Sequence, residues 1–172
     1  MPRRIPCLAE AVSLPDVALL ATDGRYINPR HVKGWAAYFI FPYTGRPGVP
    51  DPTGWDGIDG AHGSTPQALA YSTLYEQFLI KDINVFGVSL QDTEWQQEFA
   101  VRNRLPYQLL SDDLHKFSNP LCLETFNAGE RIFLRRRSMA VFNGVIAYDR
   151  RLVTPPESDA AAMLAWFVEK LA

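Results

Sequence analysis

The sequence predicts an α/β fold in which helices cover both faces of a mixed β-sheet and an extra β-hairpin lies near the N-terminus. Two observations support this prediction. Apolar runs of strand length alternate with segments whose apolar residues recur at helical spacing, which is typical of strand–helix–strand units with parallel strands. Two pairs, Asp23-Gly24 and Asn143-Gly144, lie between short apolar segments and indicate tight hairpin turns, which add antiparallel strands.

The first third of the chain is predicted to form a hairpin, a buried strand and a long loop. DVALLATDGRYINP contains two short strands joined by Asp23-Gly24, a pair that favours a type I′ turn. WAAYFIF is a continuous apolar run, as expected of a strand covered on both faces. The loop PYTGRPGVPDPTGWDGIDGAHG is about twenty residues long, and loops of that length are often functional.

The remaining two thirds alternate helices and strands and end in a hairpin and a helix. The predicted elements, in chain order, are the helix STPQALAYSTLYEQFLI, the strand INVFGVSL, the helix DTEWQQEFAVRNRL opening at Asp92 or Thr93, the strand YQLLSDD followed by a helix start, the strands within RIFLRRRSMAVFNGVIAYD, and the helix ESDAAAMLAWFVEKLA capped by Ser158 or Asp159. This order matches the thioredoxin-like arrangement, and other α/β layouts fit the order as well.

Length and composition restrict the domain count and the class of protein. The 172 residues fit one domain, which we assign to 15–172 after an N-terminal arm of 1–14. A net charge of -2 favours neither nucleic acid nor an anionic membrane surface as a partner. No apolar run approaches the roughly 18 residues of a membrane span, and no secretory signal is recognisable. Two distant cysteines, Cys7 and Cys122, indicate a protein of a reducing compartment, the cytoplasm, without a metal site.

Ser64 opens the predicted helix after the long loop, and two interpretations apply to it. It caps the helix in a capping box with Gln67, or Thr65 caps it with Pro66 at the first helical position. Alternatively Ser64 is a nucleophile, which needs an adjacent base such as His62. Because Pro66 replaces the second glycine of a Gly-x-Ser-x-Gly elbow, we expect a cap rather than a serine hydrolase.

Three stretches resemble the peroxiredoxin family. LPDVALLATDGRYINPRHVKGWAAYFIFPYTG resembles its opening, with Leu-Pro-Asp, an Asp-Gly hairpin and an apolar strand ending in Phe-Pro. VFGVSLQDTEWQQEFAVRNRLPYQLLSDD resembles the next unit, and RRRSMAVFNGVI resembles the Arg-x-[Ser/Thr] strand with its hairpin. Their order and spacing span nearly the whole chain, and the long loop resembles that of a peroxiredoxin Q or AhpC/TSA-type subgroup.

The resemblance implies a thioredoxin-like (redoxin) domain whose cysteine form is an antioxidant oxidoreductase, a thiol-dependent peroxidase. In that family a cysteine in the first turn of a helix reduces hydrogen peroxide or organic hydroperoxides and becomes a sulfenic acid. A resolving thiol or an external reductant, such as a thioredoxin-like protein, regenerates it. The resemblance implies neither a metal nor an organic cofactor, and homodimers are common in the family.

The family's functional positions can be placed on this sequence one by one. They are, for catalysis, Ser64 at the peroxidatic position, Arg136 and Ser138 and, for the substrate pocket, Pro42, Gly63 and Thr65. The position of a local resolving cysteine is Leu69, and an arginine often found shortly after it is Ser72. The resemblance therefore implies a peroxiredoxin site in which both cysteines of the reactive loop are absent.

A serine hydroxyl cannot form the sulfenic acid that peroxide reduction requires, so little peroxidase activity is expected from this chain. Ser64 alone favours a Cys→Ser variant, because that replacement is nearly isosteric. Leu69 and Ser72 favour a natural, redox-silent relative, and a natural enzyme without the resolving cysteine that was then changed at Ser64 satisfies all three observations. The alternative function is a non-enzymatic binding or regulatory protein that uses the retained pocket or a sheet edge.

Other reactive side chains have less specific surroundings. Cys122 is a candidate resolving or alternative redox thiol, and burial beside Leu121 and Leu123 as a small apolar residue is the favoured interpretation. His31 and His115 have no partners at metal-ligand spacing and are expected at the surface.

The run Arg135–Arg137 is expected to lie on a strand. Successive side chains would then alternate between the two faces of the sheet. This alternation predicts that Arg136 points toward the pocket, while its two neighbours point away from it.

Overall fold

A computed structural model of the chain describes residues 11–172, so Cys7 lies outside the described residues. The strands are β1 (Leu19–Ala21), β2 (Tyr26–Ile27), β3 (Trp35–Ile40), β4 (Ile83–Ser89), β5 (Gln108–Ser111), β6 (Thr125–Ala128), β7 (Arg131–Leu134), β8 (Arg137–Phe142) and β9 (Val145–Arg150). The helices are α1 (Ser64–Ile80), α2 (Thr93–Arg102) and α3 (Asp159–Lys170), with 3-10 turns at Pro29–His31, Trp55–Gly57 and Pro156–Ser158. No helix among these residues is both long and apolar enough to cross a membrane.

Seven strands form one mixed sheet in the order β2-β1-β5-β4-β3-β8-β9, and β6 and β7 form a separate hairpin. The strands β3, β4 and β5 pair in parallel, whereas β1–β2, β1–β5, β3–β8 and β8–β9 pair antiparallel. The predicted mixed sheet and the N-terminal hairpin are confirmed. The parallel strands carry α1 and α2 as their crossovers, so the start of α1 lies at the carboxyl end of β3.

Two apolar cores lie on opposite faces of the sheet. On one face Phe39 of β3 packs with Tyr71 of α1, Phe99 of α2 and Phe167 of α3. On the other face loop segments that include Leu14 and Phe117 cover the sheet, together with the 3-10 turn Pro29–His31, where the Pro29 carbonyl accepts a hydrogen bond from the buried Tyr38 of β3. We predicted helices on both faces of the sheet. The structure has three α-helices on one face and a short 3-10 turn on the other. The reason is that β3, β4 and β5 follow one another in one direction, which places both crossover helices on the same side.

A third, smaller core lies outside the sheet, where the β6–β7 hairpin packs against the long loop. Its centre is Trp55, which is in edge or tilted contact with Tyr43, Phe126 and Phe133 at ring-centroid distances of 4.9–5.7 Å. We call this cluster the satellite core. It holds the loop that leads into α1.

The two hairpin turns and the cap of α2 can be compared with the predictions from turn and capping preferences. Asn143 and Gly144 both have positive φ, 48° and 79°, which confirms the type I′ turn between β8 and β9. At the first hairpin only Gly24 has positive φ, so the predicted type I′ turn is wrong there: Ala21 and Arg25 close a three-residue loop instead. The cap of α2 is confirmed, since Asp92 accepts a hydrogen bond of 2.8 Å from the Trp95 N–H.

The helix expected after β5 is not formed. The Asp112 carboxylate instead accepts hydrogen bonds of 2.8 Å from the backbone N–H groups of Phe117 and Ser118 and organises an irregular turn. Pro120 shortly afterwards lacks the N–H that a continuing helix needs. The segment therefore covers the sheet as a loop.

Candidate active site at the start of helix α1

Helix α1 begins at Ser64, and the predicted caps at this helix start are wrong. The N-cap position is Gly63, which has a φ of 109° and no side chain to offer a cap. Ser64 is only 3% exposed, and its Oγ accepts a hydrogen bond of 2.8 Å from Arg136 Nη2. Capping rules predict that the Ser64 hydroxyl accepts a hydrogen bond from a backbone N–H of the same helix. It accepts one instead from an arginine that is distant in sequence.

Gly63 is required by its backbone and by a close contact. A Cβ at this position would lie 2.7 Å from Cγ of Pro156, and the positive φ disfavours any other residue. The start of α1 is therefore packed directly against the 3-10 turn that precedes α3.

Arg136 lies in the two-residue connection between β7 and β8, so the strand assumed for it is interrupted at this point. The expected alternation of burial still holds, because Arg136 is 8% exposed while Arg135 is exposed and Arg137 is half-buried. The Arg136 guanidinium donates to the carbonyl oxygens of Gly60 and Ala61 as well as to Ser64. Arg136 therefore points toward Ser64, as predicted.

All three acceptors of Arg136 are neutral, and this shapes its electrostatics. Burial lowers the pKa of Arg136 to about 10, although the nearby Asp159 charge opposes the change. The buried Nε of Arg136 has no hydrogen-bond partner among the described residues. The Nε–H and Nη2–H groups of a guanidinium point in the same direction along one edge. In Arg136 the Nη2–H donates to Ser64 Oγ, and the Nε–H beside it is available to a second acceptor. The arrangement is suited to binding an oxygen atom beside residue 64.

Asp159 is a buried residue of this region that the sequence suggested only as a helix cap. It is the first residue of α3, is fully buried, and its Oδ2 accepts hydrogen bonds from Tyr71 Oη (2.8 Å), Gln67 Nε2 (3.1 Å) and Ser138 Oγ (2.5 Å). Arg150 Nε lies 3.3 Å from its Oδ1. Burial, and then the Asp159 charge, raise the pKa of Tyr71 well above its usual range. Ser138, predicted at the catalytic hydroxyl position, is thus bonded to Asp159 and not to Ser64.

The remaining predicted positions surround the same helix start. Pro42 is buried two residues after the end of β3, and Thr65 is half-buried as the second residue of α1. Leu69, at the position of a local resolving cysteine, is 39% exposed, and Ser72 is half-buried. The helix therefore presents an aliphatic side chain to solvent where a thiol would be needed.

The serine hydrolase interpretation lacks its base. His62 is exposed, its Nε2 lies 2.6 Å from Asp56 Oδ1, and no hydrogen bond joins it to Ser64 in residues 11–172. Together with Asp51 these two side chains bring possible metal-ligand atoms within 4.8 Å of one another. All three are exposed, and such groups are common without an ion.

Cys122 is exposed, so the favoured prediction that it is buried is wrong. It has a φ of 50° and lies in the turn that ends at Leu123, which takes the buried position instead. Its role as a redox thiol stays a prediction. His31 is exposed as expected, whereas His115 is half-buried with a φ of 56°.

Comparisons with known proteins identify related sequences and a shared fold. The family model described as Redoxin matches residues 9–164. The chain is 41% identical over 103 residues to a chloroplastic peroxiredoxin Q of Gentiana triflora, covering 59% of this chain and 41% of that protein. It is 30% identical over 116 residues to a chloroplastic peroxiredoxin Q of Oryza sativa subsp. japonica, covering 66% and 46%. The chain thus spans less than half the length of these curated relatives.

Solved structures with the same fold have low sequence identity. The bacterioferritin comigratory protein of Xanthomonas campestris, studied for alkyl peroxide reduction, superposes with a TM-score of 0.74 at 19% identity, covering 95% of this chain and 100% of that one. A cysteine-to-serine mutant of Xanthomonas campestris peroxiredoxin Q superposes with a TM-score of 0.73 at 18% identity, covering 94% and 98%. These structures confirm the fold class.

Proposed function

Because the chain belongs to the Redoxin family and is similar to peroxiredoxin Q, we propose that the Ser64 site binds hydroperoxides, that its cysteine form is a thiol-dependent peroxidase, and that the serine form is redox-silent. The observation that carries this proposal is the 2.8 Å hydrogen bond from the buried Arg136 to Ser64 Oγ at the first residue of α1. The partnerless Nε on the same guanidinium edge is the donor that a peroxide oxygen would use.

With cysteine at position 64, the surroundings of the thiol support the proposed reduction of peroxide. The positive end of α1 and the Arg136 charge favour the thiolate. The thiolate sulfur attacks one peroxide oxygen, so that an S–O bond forms while the O–O bond breaks and the second oxygen leaves as an alcohol or water after taking a proton. Arg136 stabilises the charge that develops on the oxygen atoms. Two thiol groups then reduce the sulfenic acid to thiol and water and are themselves oxidised to a disulfide.

With serine at position 64, the binding groups are retained and the redox step is lost. An alcohol oxygen has no counterpart of the sulfenic acid, and within residues 11–172 no histidine or carboxylate is hydrogen-bonded to Ser64 to activate it as a nucleophile. The chain as written therefore keeps the groups that recognise a hydroperoxide without turning it over.

The cysteine form would use an external reductant. The local resolving position is Leu69, so no thiol on α1 can attack the sulfenic acid. A small dithiol protein of thioredoxin type can supply both thiols that the reduction of the sulfenic acid requires. Cys122 is the second candidate for the thiol that attacks the sulfenic acid. A homodimer, as is common in the family, and a cytoplasmic location complete the proposal.

The test compares the chain as written with Ser64→Cys, each with and without Cys122→Ser. Peroxide consumption is followed with hydrogen peroxide and cumene hydroperoxide and with dithiothreitol as reductant. We expect turnover only with Ser64→Cys, and the chain as written controls for any peroxide reaction of Cys122 itself. A folded Ser64→Cys protein that consumes peroxide no faster than the chain as written would contradict the proposal. Loss of turnover on adding Cys122→Ser would assign the resolving role to Cys122.

A further inference from the structure

Asp159 connects the two elements that carry the site. Gln67 and Tyr71 follow Ser64 by three and seven residues, so they lie on the same side of α1 as Ser64. Ser138 follows Arg136 by two residues at the start of β8. All three side chains donate to one oxygen of the Asp159 carboxylate. This single atom therefore ties the first turns of α1 to the beginning of β8.

We propose that Asp159 is a positioning residue that sets the distance between residue 64 and Arg136. The inference rests on the proposed function of the Ser64 site. A fully buried carboxylate is expensive to desolvate, and an apolar contact would join α1 and β8 at lower cost. Hydrogen bonds are directional, whereas apolar contacts are not. Three hydrogen bonds that converge on one acceptor therefore restrict the rotation and translation of both α1 and β8.

The charges around Asp159 determine what its removal should do. Among residues 11–172 two cations face it: Arg150 from β9, with Nε 3.3 Å from Oδ1, and Arg136, whose pKa the Asp159 charge tends to raise. The Tyr71 hydroxyl stays protonated and neutral beside Asp159, because burial and the Asp159 charge raise the Tyr71 pKa. Removing the negative charge alone would favour an anion at position 64, whereas releasing Arg136 from its position would disfavour it. The two effects have opposite signs.

The experiment measures the thiol pKa of Ser64→Cys, with Cys7→Ser and Cys122→Ser present so that position 64 carries the one thiol, from thiolate absorbance as a function of pH. Asp159→Asn is compared with Asp149→Asn, which removes the carboxylate that pairs with Arg137 of β8 and with Arg151 directly after β9; in the described part of the chain no hydrogen bond joins Asp149 to α1. For a positioning role Asp159→Asn raises the thiol pKa by about one unit or more, while Asp149→Asn leaves it unchanged. A lowered or unchanged pKa in the folded protein would mean that the loss of position does not outweigh the loss of charge. Either result overturns the inference.

Two uncharged variants keep the test decisive if Asp159→Asn does not fold. Tyr71→Phe and Ser138→Ala each delete one donor to Asp159 and leave its charge in place, so any rise in the thiol pKa reports position alone. We expect a smaller rise in each, and no rise in either would overturn the inference. Because the measurement needs no peroxide, a Ser64→Cys protein without peroxidase activity would contradict the proposed function and leave this result readable.

Discussion

Two adjacent arginines at the start of β8 are held in opposite ways. Arg137 donates from Nε and Nη2 to the two oxygens of Asp149, each at 2.6 Å, which is the bidentate pairing that arginine and carboxylate favour. Arg136 is more deeply buried, yet it contacts only carbonyl and hydroxyl oxygens and leaves Nε without a partner among the described residues. A buried cation without a carboxylate in contact is unfavourable for stability. The difference favours a stabilising role for Arg137 in the sheet, and it supports the proposed binding role of Arg136.

The largest expected effect is on catalysis by the cysteine form. In Ser64→Cys, Arg136→Gln should lower the second-order rate constant for hydroperoxide reduction by roughly 100-fold or more, because a preorganised donor to the reacting oxygens is lost. Arg137→Gln should lower it by less than about 3-fold, because its partner is Asp149. Stopped-flow measurement of peroxide reduction checks both values. Equal losses in the two variants would remove the functional distinction between the arginines.

The next effect is on stability. Arg137→Gln should reduce the free energy of unfolding by about 1–3 kcal/mol, because it leaves Asp149 with only the more exposed Arg151 at 3.0 Å. Urea unfolding measures the change, and Arg135→Gln is the matched control at an exposed position of the same run. If Arg135→Gln were as destabilising as Arg137→Gln, the Asp149 pair would not be the source of the loss.

The smallest effect is a dependence of stability on acid pH. Burial tends to raise the pKa of Asp149, but hydrogen bonds from Arg137 and Arg151 outweigh it and hold this pKa below its ordinary value of 3.8. Since the folded pKa is the lower one, the stabilisation is complete above the ordinary value and is lost as pH falls through the folded value. Asp149→Asn should therefore flatten the loss of stability below about pH 4, by less than about 1 kcal/mol for this half-buried group. Urea unfolding at a series of pH values measures it, and a slope unchanged from the parent chain would contradict the assignment.

Much of the fold follows from local pattern, because strand runs, helical spacing and Asn143-Gly144 specify their own structure. The site was predicted only in part. Capping rules consider only residues a few positions away, whereas Arg136, the hydrogen-bond partner of Ser64, is 72 positions away in the sequence. Asp159 and Tyr71 are 88 positions apart, and an acidic first residue is ordinary for a helix in solvent. Long-range side-chain pairs of this kind leave no trace in local periodicity.

Cys122 shows the same limit for burial. Its neighbours Leu121 and Leu123 suggest an apolar environment, but a φ of 50° turns the chain at Cys122 and exposes its side chain. The left-handed conformation arises from the fold of the turn after Asp112. Nothing in the residue type indicates it, since cysteine is not among the residues that favour this conformation.

The satellite core around Trp55 bears on how a molecule reaches Ser64. The long loop is anchored there, outside the main sheet, and Arg136 ties that loop to the β7–β8 connection through the carbonyls of Gly60 and Ala61. Ser64 is only 3% exposed, so a molecule that binds beside it must displace some of the groups packed around it. The Arg136 guanidinium contacts both the long loop and Ser64, so any displacement of the loop also changes the surroundings of residue 64.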